Sequence, residues 1–319
     1  MTSAASFPPS TWAEAPYRLR FRLGERCLWV KSFRAVVLKT EFLKIDRPPE
    51  QLIPGVESLS EDVDLAVMGC IPIQHAYPKF SRVAGWLLYV PEHFPCYYVD
   101  LTTTFDEYFR NFSAKTRSTL RRKVRKFEDF SGGTIDFREY KTAEGFDDFY
   151  SLALELSSRT YQHRLLDAGL PATESFASSA RALAAGNQVR AYLLLYAGKA
   201  VAYLYCPIVD GALAYAHQGY DERFAEWSCG TVLQYLAFER LFAERTFQVF
   251  DFTEGEGEHK KLFATGMVSC AKMLYFRPKL WNVILAGSHA ALVSASRWGV
   301  KLLDRVGLKR RIKKMLRRG

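Results

Sequence analysis

Long apolar runs are missing from this 319-residue chain. The stretch that begins at Trp281 comes nearest, but Asn282, His289, three serines and Arg297 interrupt it. It falls short of the roughly twenty apolar residues that a membrane-spanning helix requires. The N-terminus, MTSAASFPPSTWAEAPYRLRFRLG, lacks a basic segment followed by an apolar one, which argues against a cleaved secretory leader and gives a cytoplasmic expectation. The six cysteines are scattered, with no CxxC pair and no metal-like spacing, and read as buried free thiols of a reducing compartment. No two histidines are spaced as zinc ligands, and no segment repeats at a solenoid period.

Charge is present in excess but unevenly placed. The net charge is +10, yet residues 301–319 hold nine Lys or Arg against one acid, Asp304. A second basic run, Lys115, Arg117, Arg121, Arg122, Lys123, Arg125 and Lys126, contains no acid. The body of the chain is therefore nearly neutral, and two patches carry the positive field. At 49% hydrophobic and 14% aromatic content, a large core needs no covalent staples.

Prolines divide the first hundred residues into short apolar pieces, among them 27–43 and 85–91, which read as strands or short helices. Beyond them the periodicity is clearer. Ser113 is placed to cap a helix in which Leu120, Val124 and Phe127 share one face, and Arg117, Arg121 and Arg125 form a stripe at i, i+4, i+8. Ser131-Gly132-Gly133 ends that helix. Helical stretches near 143–160 and 173–185 lead to three strand-like runs, 189–196, 200–208 and 212–220, joined by hairpin-length links. A helix at 230–244, a strand at 246–252 and a last strand at 268–276 follow. The expected fold is mixed α/β, with a mainly antiparallel sheet flanked by helices.

Two segments of this layout carry candidate chemistry. Ser228-Cys229-Gly230-Thr231 opens a helix, where free backbone amides and a glycine admit an anion such as pyrophosphate; the same residues also suit a plain N-cap and tight turn. The run FDFTEGEGEHKKLF, 250–263, leaves a strand with acids, glycines, a histidine and two lysines. It suits a catalytic loop or a polar turn. It lacks the spacing of a calcium loop, and lone His259 has no partner histidine four residues on, so no metal is expected. Asp251, Glu254, Glu256, Glu258 and His259 are all candidates for a general base, and spacing alone does not choose among them. His217 and Gln218, at the end of the third run, and Tyr161 and Gln162, between two helices, are candidate pocket residues.

The blocks YDERFAEWSCGTVLQYLAFERLF and FDFTEGEGEHKKLFATG, preceded by FSAKTRSTLRRKVRKFEDFSGG, resemble in order and content the BioF2-like, CelD-type branch of the Gcn5-related N-acetyltransferase (GNAT) superfamily. That branch is similar in fold to the FemAB and FemX peptidyltransferases. His259 stands where the family usually has tyrosine before its lysine.

The resemblance implies a GNAT-like fold in two tandem halves. A degenerate N-terminal half is expected over 1–131, an acyltransferase half over 132–280, and a basic amphipathic tail over 281–319. It implies acetyl-CoA or another acyl-CoA as co-substrate, held at Ser228, Cys229, Gly230 and Thr231. Lys260 would face the acyl centre, with Asp251 and His259 as its catalytic companions. The acceptor would be an amine on a sugar, a glycolipid or an envelope precursor, as in exopolysaccharide synthesis, met by Tyr161, Gln162, His217, Gln218, Arg117 and Arg121. Two rivals stay open: a FemAB-like enzyme taking its group from aminoacyl-tRNA, with the basic patches as RNA footprint, and a non-catalytic scaffold of a membrane biosynthetic complex. The tail, through 298–319, suits either an anionic membrane surface or a solvated segment.

Overall fold

A computed structural model describes residues 11–24, 26–39, 42–159 and 169–305. The first elements are β1 (Thr11–Leu23), β2 (Arg26–Lys39), the one-turn α1 (Pro49–Leu52), β3 (Leu65–Pro72), β4 (Phe80–Val83) and β5 (Trp86–Asp100). Next come α2 (Phe105–Arg110), α3 (Ala114–Phe130), β6 (Asp136–Tyr140), α4 (Phe146–Ser158), α5 (Glu174–Ala185), β7 (Val189–Tyr196) and β8 (Lys199–Val209). The remainder are β9 (Ala212–Ala214), β10 (His217–Tyr220), α6 (Cys229–Glu244), β11 (Val249–Asp251), α7 (Glu258–Phe263), β12 (Gly266–Phe276) and α8 (Leu280–Arg305).

The chain divides into two compact units, residues 1–95 with 268–319, and residues 96–267. In the first, β1 and β2 form a long antiparallel hairpin, β2 runs parallel to β3, and β3 pairs antiparallel with β12. Leu19, Phe21, Phe33, Leu274 and Phe276 pack with Leu285, Ala286 and Ala290 of α8. Residues 281–305 are therefore a helix seated on a core rather than a detached tail, and the basic residues after Arg305 lie outside the described residues. Helix α8 exposes several large apolar side chains, Leu280, Trp281, Val283, Ile284 and Trp298. No helix among the described residues is long and apolar enough to cross a membrane.

In the second unit, strands run in the order β11, β9, β8, β7, β6, with β10 lying beside β8. All these pairings are antiparallel except that of β11 with β9. The run VRAYLLLY is apolar on both faces because both are covered. Tyr192 and Leu194 meet α2, α3 and α6 through Tyr108, Phe109, Leu120, Phe127, Val232 and Phe238. Ala191, Leu193 and Leu195 meet α4 and α5 through Phe149, Ala153, Leu156 and Ala180. Helix α3 starts as its sequence predicts, with the Ser113 hydroxyl accepting the Thr116 N–H. Its apolar stripe packs with α6, so α3 groups with residues 96–267 and not with the preceding hundred, as a boundary at 131 would have it.

The free-thiol expectation holds for buried Cys206 and Cys229 and for exposed Cys27. It fails for Cys70 and Cys96, which are disulfide-bonded. Cysteine use thus no longer argues for a reducing compartment.

Candidate active site

The run 212–220 is broken in the middle. β9 pairs with both β8 and β11, whereas β10 continues along β8 after β11 has ended at Asp251. The chain then turns away through a loop with Thr253 and Gly255 at positive φ. A cavity of about 330 Å³ opens beside this divergence, lined by Tyr215, Gln218, Tyr220, Ala225, Ser228, Cys229, Gly230, Thr231, Gln234 and His259. It brings the whole Ser228–Thr231 segment together with Gln218 and His259.

Three hydrogen bonds order one wall. Gln218 Nε2 donates to the Gly230 carbonyl at 3.2 Å, which turns Gln218 Oε1 toward Tyr215. The Tyr215 hydroxyl donates its only proton to that oxygen. Its oxygen can then only accept from His259, whose Nε2 lies 3.1 Å away. The network thus places the imidazole proton on Nε2 and leaves the lone pair on Nδ1. Packing around the ring, and secondarily the charge of Lys260, hold the His259 pKa below the ordinary 6.5. The ring is neutral at neutral pH, as a proton acceptor must be. Burial pushes the Tyr215 hydroxyl far above its usual range, so it stays protonated. Gly257 makes room for the imidazole: a Cβ there would lie 2.8 Å from His259 Cε1 and 3.0 Å from Nδ1.

The adjoining wall is the start of α6. Ser228 sits in the left-handed region at φ 54°, ψ 36°, and its side chain makes no capping bond. Its carbonyl accepts the Thr231 and Val232 amides. The Cys229 and Gly230 amides lie beside the Cys229 sulfur, a weak acceptor, at the helix start, where an anion is favoured. Burial pushes the Cys229 thiol up to about 12 despite those amides, and Sγ contacts the Val201 carbonyl at 3.5 Å. This thiol is a packing group, not a thiolate nucleophile. Lys123 of α3 brings a cation, its Nζ lying 3.5 Å from Thr231 Oγ1.

Residues 114–261 match the family profile described as Acetyltransferase (GNAT) domain. That segment is GNAT-like. The profile spans the basic helix α3, the cavity and most of α7. The chain is also similar to the C-terminal domain of a putative lysylphosphatidylglycerol synthetase from Agrobacterium fabrum, at 12% identity over 73% of this chain and 72% of that one, with a TM-score of 0.47. Similar too are a structure of L-PGS from Bacillus licheniformis, at 15% identity over 72% and 73% with a TM-score of 0.46, and FemX, at 10% identity over 86% and 90% with a TM-score of 0.48. No curated protein matches the chain.

Within the matched segment, the other residues singled out from the sequence fall elsewhere. Lys260, next to His259 on α7, is buried; its ammonium donates to the Glu254 carbonyl at 2.8 Å and the Thr253 carbonyl at 3.4 Å, and lies 5.7 Å from the Tyr215 ring centre. Burial lowers its pKa, with Asp251 and Glu254 pulling the other way. It latches the loop and does not line the cavity. Asp251 accepts the Thr253 amide at 2.7 Å in a local turn. His217, one residue from Gln218 and so on the other face of β10, packs against Phe176 and Tyr205. Arg117 donates to the carbonyls of Arg110 and Phe112, and Arg121 stacks over Phe109 at 5.1 Å. Tyr161 and Gln162 lie outside the described residues.

Sequence reading missed Tyr215, Gln234 and Lys123. Tyr215 lies in an apolar run, Gln234 is a lone polar residue on a buried helix face, and Lys123 is one cation among seven in its basic run. None has a local signature, because each acquires its role by contact across the fold.

Proposed function

We propose that the chain is an N-acyltransferase that moves an acetyl or other acyl group from acyl-CoA to an amine. The observation that carries this reading is His259, hydrogen-bonded to Tyr215 and lining one cavity with the start of α6, inside the segment that matches the GNAT profile. The donor's phosphates would lie against the Ser228–Thr231 segment and the Lys123 cation, where a helix start and a side-chain charge act together.

His259 Nδ1 would take a proton from the acceptor ammonium and free its lone pair. The amine attacks the thioester carbonyl carbon, a C–N bond forms, and the carbonyl pair moves onto oxygen. Collapse breaks the C–S bond, and the second proton on nitrogen passes to the departing thiolate. Lys260 serves by holding the 253–254 loop, and with it the register of α7.

The acceptor would be an amine on a sugar, glycolipid or other envelope precursor. The exposed apolar side chains of α8 and the cations that follow it in sequence suit an anionic membrane face, from which such an acceptor could be taken. Calorimetry with acetyl-CoA and longer acyl-CoAs tests the donor. Saturable binding, followed by thiol release with amino-sugar acceptors, supports the reading, and no heat with any acyl-CoA overturns it.

Exposed Lys115, Arg121, Arg122 and Arg125 on α3 favour a second reading in which the donor is aminoacyl-tRNA. tRNA binding that weakens steeply with salt and is lost when these four are neutralised would establish it in place of the first.

A further inference from the structure

Gln234 stands one turn into α6, 1% exposed, and lines the same cavity. Its amide nitrogen is buried with no hydrogen-bond partner. Buried amide donors are rarely left unpaired, because their hydration is lost without replacement. The terminal side-chain torsion of glutamine is soft, so this nitrogen is free to rotate toward a partner.

We infer that Gln234 is a ligand-binding residue whose amide nitrogen donates to the first amide carbonyl of a pantetheine arm. The inference rests on the acyl-CoA reading above. The cavity changes character along α6. Its partly exposed end has the helix start and Thr231, beside which the Lys123 cation lies. Its buried end has the neutral Gln234, three residues further and therefore about 4.5 Å along the helix axis. A phosphate left at the buried end would be desolvated without a counter-charge, whereas a carbonyl oxygen there costs little and satisfies the orphaned donor. In CoA the pyrophosphate is followed, five bonds on, by an uncharged amide carbonyl. This is the order of polarity that the wall presents.

The test uses the full chain, with calorimetry of CoA and of adenosine 3′,5′-bisphosphate, which keeps the 3′-phosphate and one phosphate of the pyrophosphate but has no pantetheine arm, and thermal unfolding without ligand. Gln234→Leu should weaken CoA about tenfold and leave the bisphosphate unchanged, while the ligand-free melting temperature rises because an unpaired donor has been removed. Gln234→Glu, which replaces the donor with an acceptor, should weaken CoA at least as much. Equal weakening of both ligands, or CoA affinity unchanged in both variants, overturns the role of Gln234 and leaves the acyl-CoA reading standing. If the unaltered protein binds neither ligand, both fall together.

Discussion

His259 Nε2 lies 3.1 Å from the hydroxyl of Tyr215, and the tyrosine proton is already committed to Gln218. Forty-four positions apart in the chain, the two residues together decide which imidazole nitrogen can accept a proton. Because the His259 pKa is held below 6.5, the base-competent neutral form exists above that lowered value and is lost below it. The rate of acyl transfer should therefore fall on the acid side of neutrality, along a limb whose midpoint is below 6.5. His259→Gln should lower kcat roughly a hundredfold or more and remove that limb. Tyr215→Phe should cost about tenfold, since the ring loses its fixed tautomer but not its basicity. An unchanged pH profile in His259→Gln would assign the proton transfer elsewhere. Stability follows the same sign: the lowered pKa favours the neutral ring in the fold, so this contribution is present above 6.5 and is lost as pH falls toward the folded value.

Lys260 predicts a different signature. Its positive charge is one cause of the lowered His259 pKa, so Lys260→Met should move the acid limb toward higher pH as well as slow the reaction. Losing two carbonyl bonds from a buried ammonium should cost about 2 kcal/mol and raise amide exchange in residues 253–257. A rate lost at every pH, with the limb unmoved and the loop still protected, would mean that the ammonium acts on the substrate directly.

Ser228 holds a backbone conformation that favours glycine. Ser228→Gly should stabilise the ligand-free protein by about 1 kcal/mol in chemical denaturation. If the hydroxyl serves the donor's phosphates, the same variant binds CoA less tightly. A gain in stability with unchanged affinity would reduce Ser228 to a turn residue.

The exposed tryptophans of α8 give a test of the membrane face. Vesicles containing an anionic lipid should shift the emission of Trp281 and Trp298 to the blue, and added salt should reverse it. Trp281→Ser combined with Trp298→Ser should abolish co-sedimentation with such vesicles. Equal partition onto neutral vesicles, or none onto either, would refute an anionic surface as the partner.

Much of the GNAT-type layout was legible because it is local. The runs at 189–196 and 200–208 are strands whose neighbours are close in sequence, and the start of α6 was marked by Ser228-Cys229-Gly230-Thr231 before any contact was known. The first hundred residues were not legible, because β2 joins β3 in parallel and β3 finds its other partner, β12, some two hundred residues later. Such pairings leave no periodic trace beyond the apolar pieces themselves.

The sequence by itself determined which residues could do chemistry: an anion-ready helix start, a loop with one histidine and a buried-strand meander that could support both. Tertiary structure alone decided which of them meet. A single expected strand, 212–220, splits at Tyr215 and Ala216, since β11 ends where β10 continues, and the cavity opens there. On α7, consecutive residues point about 100° apart, so His259 faces that cavity while Lys260 turns inward to the loop carbonyls. On β10 consecutive residues point to opposite faces, which keeps Gln218 in the site and sends His217 to the aromatic core. Side-chain direction is a property of the backbone's path, and that path is set by pairing and packing with segments far away in the chain.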